Sequence, residues 1–139
     1  MDKNFKVLKI DHVAIAVNAL KESKKIFSIL GMSSSDVENV SNENVDVLKI
    51  YSESREHTIE LLEPTDINSS VQKFLNKRGQ GLHHIALEVD NIYNAIEYLK
   101  DNNIKVIYDT PQKGADNKLI TFIHPGCTPG VLIELCQLA

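Results

Sequence analysis

The stretch Ile10-Asp11-His12-Val13-Ala14-Ile15-Ala16-Val17 returns later in the chain as Leu82-His83-His84-Ile85-Ala86-Leu87-Glu88-Val89. His12 and His84 hold the same place in the two copies. A second echo pairs Ile59-Glu60-Leu61 with Ile133-Glu134-Leu135. Each half of the chain therefore repeats one unit, with a His near its start and a Glu near its end. Fixed-period self-similarity of this kind marks a duplicated structural unit. Two His and two Glu at matching places are the donor types of a metal site.

The 139 residues are enough for a core without disulfide or metal staples. With 42% hydrophobic and 24% charged residues, the composition is that of a soluble globular protein. The net charge of −4 argues against a nucleic-acid surface. No apolar run reaches the length of a membrane span, and the N-terminus lacks an apolar signal core. A cytoplasmic protein without membrane or nucleic-acid partners is expected. Cys127 and Cys136 are then free thiols of a reducing compartment. Cys136, two residues beyond Glu134, shares its strand face and reads as a small buried residue.

Working outward, residues 7–17 alternate as a strand that puts Ile10, His12, Ala14 and Ala16 on one face. Asn18 is placed to cap a helix with a stripe of Leu20, Ser23, Ile26, Phe27 and Leu30, ended by Gly31. Short strands are expected over 32–38 and from Val45, with Thr58–Leu62 closing the first unit. The connector, about 65–81, carries a short helix with Val71, Phe74 and Leu75, capped by Asn68, Ser69 or Ser70. The second unit repeats the order: strand 82–89, a helix capped by Asp90 with Ile92, Ala95, Ile96 and Leu99, then strands 104–108, 119–123 and 131–136. The expected fold class is α+β. Two tandem βαβββ modules, about 7–64 and 82–137, form a curved mixed sheet around a metal-binding cavity within one domain spanning 1–139.

If the modules pair with pseudo-twofold symmetry, His12, Glu60, His84 and Glu134 converge. Each Glu is flanked by apolar residues, and a carboxylate in such a strand is seldom left unpaired. One reading is two buried His–Glu pairs that serve only the fold. Four such residues in a duplicated pattern favour a metal. The mixed donors suit cobalt, manganese, nickel, zinc or iron, with positions left open for water or substrate. His83 points away from His84, and His57 and His124 read as a solvated residue and a turn residue.

These residues resemble the vicinal oxygen chelate superfamily, and within it the methylmalonyl-CoA epimerases. The resemblance is carried by IDHVAIAV, by IELLEPT (Ile59–Thr65), by VQKFLNKRGQGLHHIALEVDNI (Val71–Ile92) and by FIHPGCTPGVLIELCQ (Phe122–Gln137). It implies one divalent ion, with cobalt heading manganese, nickel and zinc, on His12, Glu60, His84 and Glu134. It also implies an acyl-CoA substrate, α-proton abstraction with Glu134 as acid/base, and a homodimer. A second acid/base is not fixed by the resemblance, and Asp46 is the nearest acid to where relatives carry a Glu. Gly126 stands where relatives often have Lys. A lactoylglutathione lyase is the nearest enzyme alternative. A ring-cleaving dioxygenase has no use for Glu60, and a non-catalytic ligand-binding module has none for the four polar interior residues.

Overall fold

In a computed structural model, which describes residues 2–139, the chain divides into two compact units. The first is His12–His83. The second joins the chain up to Asp11 with His84–Ala139. The division does not follow the sequence repeats. It cuts the first strand, β1 (Val7–Ala16), between Asp11 and His12, and the strand β6 (Gly81–Val89) between His83 and His84.

In the first unit β1 leads into two short helices, α1 (Leu20–Ser23) and α2 (Lys25–Ile29). The strands β2 (Ser33–Ser34), β3 (Glu38–Val40), β4 (Val45–Tyr51) and β5 (Thr58–Pro64) follow, and then helix α3 (Ser70–Arg78). β5 runs parallel to β1 and antiparallel to β4, and both β2 and β3 pair with β4. The alternation of the strands separates two faces. On the helix side Leu48, Ile50 and Leu61 pack with Val17 and Leu20, against Ile15, Phe27, Met32 and Ile59.

Two local expectations are corrected in this unit. Asn18 is not the helix cap. The cap position is Ala19, which offers no side-chain acceptor, and the Leu20 amide instead donates to Glu63 Oε1 at 2.8 Å. The apolar stripe is narrower than expected, because Ile26 and Leu30 are exposed. Leu20 and Phe27, nearly two turns apart, form the seam that faces the sheet, and Ile26 and Leu30 lie to one side of it. Gly31 ends the segment at φ 84°, a left-handed conformation that glycine adopts without a Cβ penalty. Ser69, rather than Asn68 or Ser70, caps α3, accepting from the Val71 amide at 3.2 Å.

The second unit carries the rest of β6, helix α4 (Ile92–Asp101), and strands β7 (Gln112–Lys113), β8 (Lys118–Ile123) and β9 (Leu132–Leu138). β9 runs parallel to β6 and antiparallel to β8, with β7 at the far side of β8. α4 buries Ile92, Ala95 and Ile96 against Val89, Val106 and Leu135, with Leu99 packed on them as expected. Its cap is Asn91, which accepts from the Asn94 amide at 2.9 Å, one residue beyond the expected Asp90. Asp90 instead accepts from the Lys6 amide at 2.7 Å. Residues 104–108 do not form a strand. Val106 makes a single bridge to Ile123. At Tyr108 the Thr121 hydroxyl replaces the ladder, accepting from the Tyr108 amide and donating to its carbonyl. Each unit thus shows strand, helix and further strands, the α+β order that the repeats predict.

Candidate functional site

In the first unit His12 lies on β1 opposite Thr58, and Ala14 lies opposite Glu60. His12 and Glu60 therefore share the face turned away from the helices. Between them the only side chain on β1 is a methyl group, so the Glu60 carboxylate can reach back to the imidazole. His12 Nδ1 and Glu60 Oε2 are 3.4 Å apart, and the two residues are 4% and 5% exposed.

The second unit repeats this geometry. His84 lies opposite Leu132, and Ala86 opposite Glu134. His84 Nε2 and Glu134 Oε1 are again 3.4 Å apart, with exposures of 4% and 6%. The Phe122 ring stands edge-on to the His84 ring at 5.6 Å. Cys136 shares this face, packs with Ala86 and Ile120, and is fully buried. Burial first, and the Glu134 charge second, push its thiol well above the ordinary range, so it stays neutral. Both cysteines are free, as expected.

The duplication extends two residues past each echo, to Ile59–Glu63 and Ile133–Gln137. Glu63 Oε1 accepts from the Leu20 amide at 2.8 Å, and Gln137 Oε1 accepts from the Ile92 amide at 2.6 Å. Each closing strand thus sends its Glu to one face. Three residues on, it sends an acceptor to the other face, where it satisfies the first amide of the unit's helix. The sequence signal for this was the shared carboxyl or amide oxygen at the fifth position of both echoes.

Asp46 is excluded from the site face. Its ladder partner is Glu63, on the helix side, and its carboxylate accepts from Asn39 Nδ2 at 2.9 Å. It lines a cleft of about 460 Å³ with Lys21, Lys24, Asp36 and Glu63. The residue of β4 directly opposite Glu60 on the site face is Lys49, which the sequence reading missed. His57 is exposed. His124 is a turn residue, its Nδ1 accepting from the Gly126 amide at 3.1 Å. His83 packs its ring on Phe74 at 5.1 Å, and burial lowers its pKa to about 4.

A family model of the Glyoxalase/Bleomycin resistance protein/Dioxygenase superfamily matches residues 11–122. The mitochondrial methylmalonyl-CoA epimerase of Dictyostelium discoideum is 38% identical over 129 residues, which are 91% of this chain and 76% of that protein. The chain belongs to the methylmalonyl-CoA epimerase family of this superfamily. Solved structures of the family share its fold. The epimerase from Mycobacterium tuberculosis superposes with a TM-score of 0.91 at 32% identity, over 96% of this chain and 89% of that one. A methylmalonyl-CoA epimerase in complex with methylmalonyl-CoA and NH4+ superposes with a TM-score of 0.89 at 31% identity, over 96% of each chain.

Proposed function

We propose that the chain is a methylmalonyl-CoA epimerase that interconverts (R)- and (S)-methylmalonyl-CoA. In this reading His12, Glu60, His84 and Glu134 hold one divalent ion, and Glu134 also moves the α-proton. One observation carries it: each unit of a chain from the epimerase family holds a buried His–Glu pair in the same register and at the same 3.4 Å separation. The donor set fits a borderline divalent ion, since it offers two imidazole nitrogens and two carboxylates and no thiolate. Cobalt heads the candidates, followed by manganese, nickel and zinc.

When bound, the ion polarises the thioester carbonyl and offsets the negative charge that develops on its oxygen. Glu134 accepts the α-proton. The C–H bond breaks and its electron pair enters the carbon–carbon bond of the enolate. Return of a proton from a second acid on the opposite face of the same carbon inverts the centre. Ala14 and Ala86, both fully buried, leave room beside the carboxylates. The relatives do not favour the lactoylglutathione lyase alternative.

The same reading takes the chain as one domain and as a cytosolic homodimer. Leu8 and Ile10, on one face at the start of β1, are exposed apolar residues of the kind that subunit contacts use. No helix of the described residues is long and apolar enough to cross a membrane.

The test is incubation of the cobalt-loaded protein with (S)-methylmalonyl-CoA in deuterated water, followed by mass and chiral analysis. One deuterium at the α-carbon and a mixture of epimers are expected. Glu134→Gln should slow the incorporation by about 10²- to 10⁴-fold. Wild-type incorporation by that variant removes Glu134 from the proton transfer, and no incorporation by the unaltered protein removes the epimerase reading.

A further inference from the structure

The sheet edge of the second unit is interrupted close to Glu134. Val106 bridges to Ile123, and β7 resumes the ladder with Gln112 opposite Ile120. From Val106 to Gln112 the chain takes six steps while β8 takes three. Surplus residues on one strand of a pair form a bulge, and a bulge re-aims a side chain. Here the surplus is pinned at Tyr108. Its amide donates to the Thr121 hydroxyl at 3.1 Å, and its carbonyl accepts from that hydroxyl at 2.8 Å. Thr121 is fully buried, so water does not compete for these bonds.

The Tyr108 ring is thereby set edge-on to the Phe122 ring, with centroids 6.3 Å apart. Phe122 faces Glu134 across the β8–β9 ladder and lies on the same side of the sheet. It also meets the His84 ring and packs on Ala86, Ile120 and Cys136. Phe122 and Tyr108 are both half-buried, so each keeps some surface open to a ligand. All of these residues belong to the second unit. The first unit has an interrupted edge without the ring. Between Ser34, opposite Ile50, and Glu38, opposite Val47, it carries Ser35, Asp36 and Val37.

We propose that Tyr108 and Phe122 form the wall against which the α-alkyl substituent of the substrate packs, and that Tyr108 limits this substituent to a methyl group. The inference rests on the epimerase reading, with Glu134 as the base, and adds what sets the size of the substrate. The α-carbon of methylmalonyl-CoA carries a hydrogen, a carboxylate, a thioester carbonyl and a methyl group. The carboxylate and the carbonyl need charge or hydrogen-bond partners, which hydrocarbon ring surface does not supply. The methyl group is the substituent that gains by leaving water for such a surface. When Glu134 takes the α-hydrogen, the other groups on that carbon lie beside its carboxylate, and Phe122 is the residue that faces it. The wall yields little. Its neighbours hold Phe122, and the Thr121 hydroxyl holds Tyr108, so an added methylene meets a packed surface.

The experiment measures kcat/KM for α-hydrogen exchange in deuterated water, with methylmalonyl-CoA and ethylmalonyl-CoA as substrates of the cobalt-loaded protein. The unaltered protein should prefer the methyl compound about 10- to 200-fold, the range for one methylene in a fitted apolar site. Tyr108→Ala should narrow that preference about tenfold or more, chiefly through a lower KM for ethylmalonyl-CoA. Tyr108→Phe keeps the ring and should stay within about twofold of the unaltered protein on both substrates. Thr121→Val removes the hydroxyl that pins Tyr108 and should relax the preference in the same direction as Tyr108→Ala. Equal loss on both substrates in Tyr108→Ala, the result of a purely structural role, overturns the proposal. So does an unaltered protein without preference, or a Phe variant that loses activity on both substrates, which would assign the effect to the hydroxyl. Absence of exchange with either substrate in the unaltered protein is a separate result that removes the epimerase reading itself.

Discussion

His83 and His84 are adjacent in the chain and serve opposite sides of one strand. His84 meets Glu134, whereas His83 lies against Phe74. Burial favours the neutral form of His83 and lowers its pKa from 6.5 to about 4. The unfolded chain therefore takes up a proton before the folded one does. The stability contribution of neutral His83 is full above pH 6.5 and is lost as the pH falls toward 4, on the order of 2–3 kcal/mol in all. Urea unfolding between pH 7 and pH 4.5 checks this. Metal-free protein should lose stability more steeply over that range than its His83→Gln variant, and parallel curves would remove His83 as the source. At this scale the sequence was most informative where chemistry repeats. The four His and Glu were legible because a duplication marked them. Lys49 was not, because its side of the sheet depends on strand register, and a slip of one residue would have put Asp46 there instead.

At the scale of the element, the strands were easier to read than the helix ends. Alternation in 7–17 and 82–89 predicts β1 and β6 to within about a residue, since a period of two with one apolar face leaves little freedom. Helix starts were misplaced where the first amide of the helix is satisfied from afar, although α4 also has a local cap in Asn91. Glu63 is 43 residues from the amide it receives, and Gln137 is 45. Local rules that nominated Asn18 and Asp90 could not see either. The segment 104–108 failed for a related reason: it keeps a single bridge to β8, and at Tyr108 the Thr121 side chain takes the place of further ladder bonds. Where a cap is local, its energetics follow directly. Ser69 is buried and accepts from the Val71 amide. Ser69→Ala should cost about 1 kcal/mol of stability by urea unfolding, and Ser69→Asp should recover part of it. An unchanged midpoint in the Ala variant would show that α3 does not depend on this bond.

For the whole molecule, the proposals of one domain, one ion and a homodimer meet in one measurement. Scanning calorimetry should give a single transition. Its midpoint should rise with cobalt, as binding to the native state alone requires, and should rise with protein concentration if subunits associate. Two transitions would separate the units. Insensitivity to cobalt would remove the ion, and insensitivity to concentration would remove the dimer.

The cut through β1 bears on the order of assembly. His12–His83 is continuous in the chain, and all its parts exist once residue 83 has been made. The second unit is not continuous. Lys6 and Asp90 exchange hydrogen bonds of 2.7 and 3.1 Å, Asn94 reaches the Asn4 carbonyl at 3.0 Å, and Asp11 waits for Lys118. The residues before His12 thus belong to a body that is completed only after the first unit. Closing it means joining segments more than 70 residues apart, an entropic cost that slows folding. During synthesis the start of β1 must wait for that later segment, and its exposed Val7, Leu8 and Ile10 are what an unintended neighbour would meet.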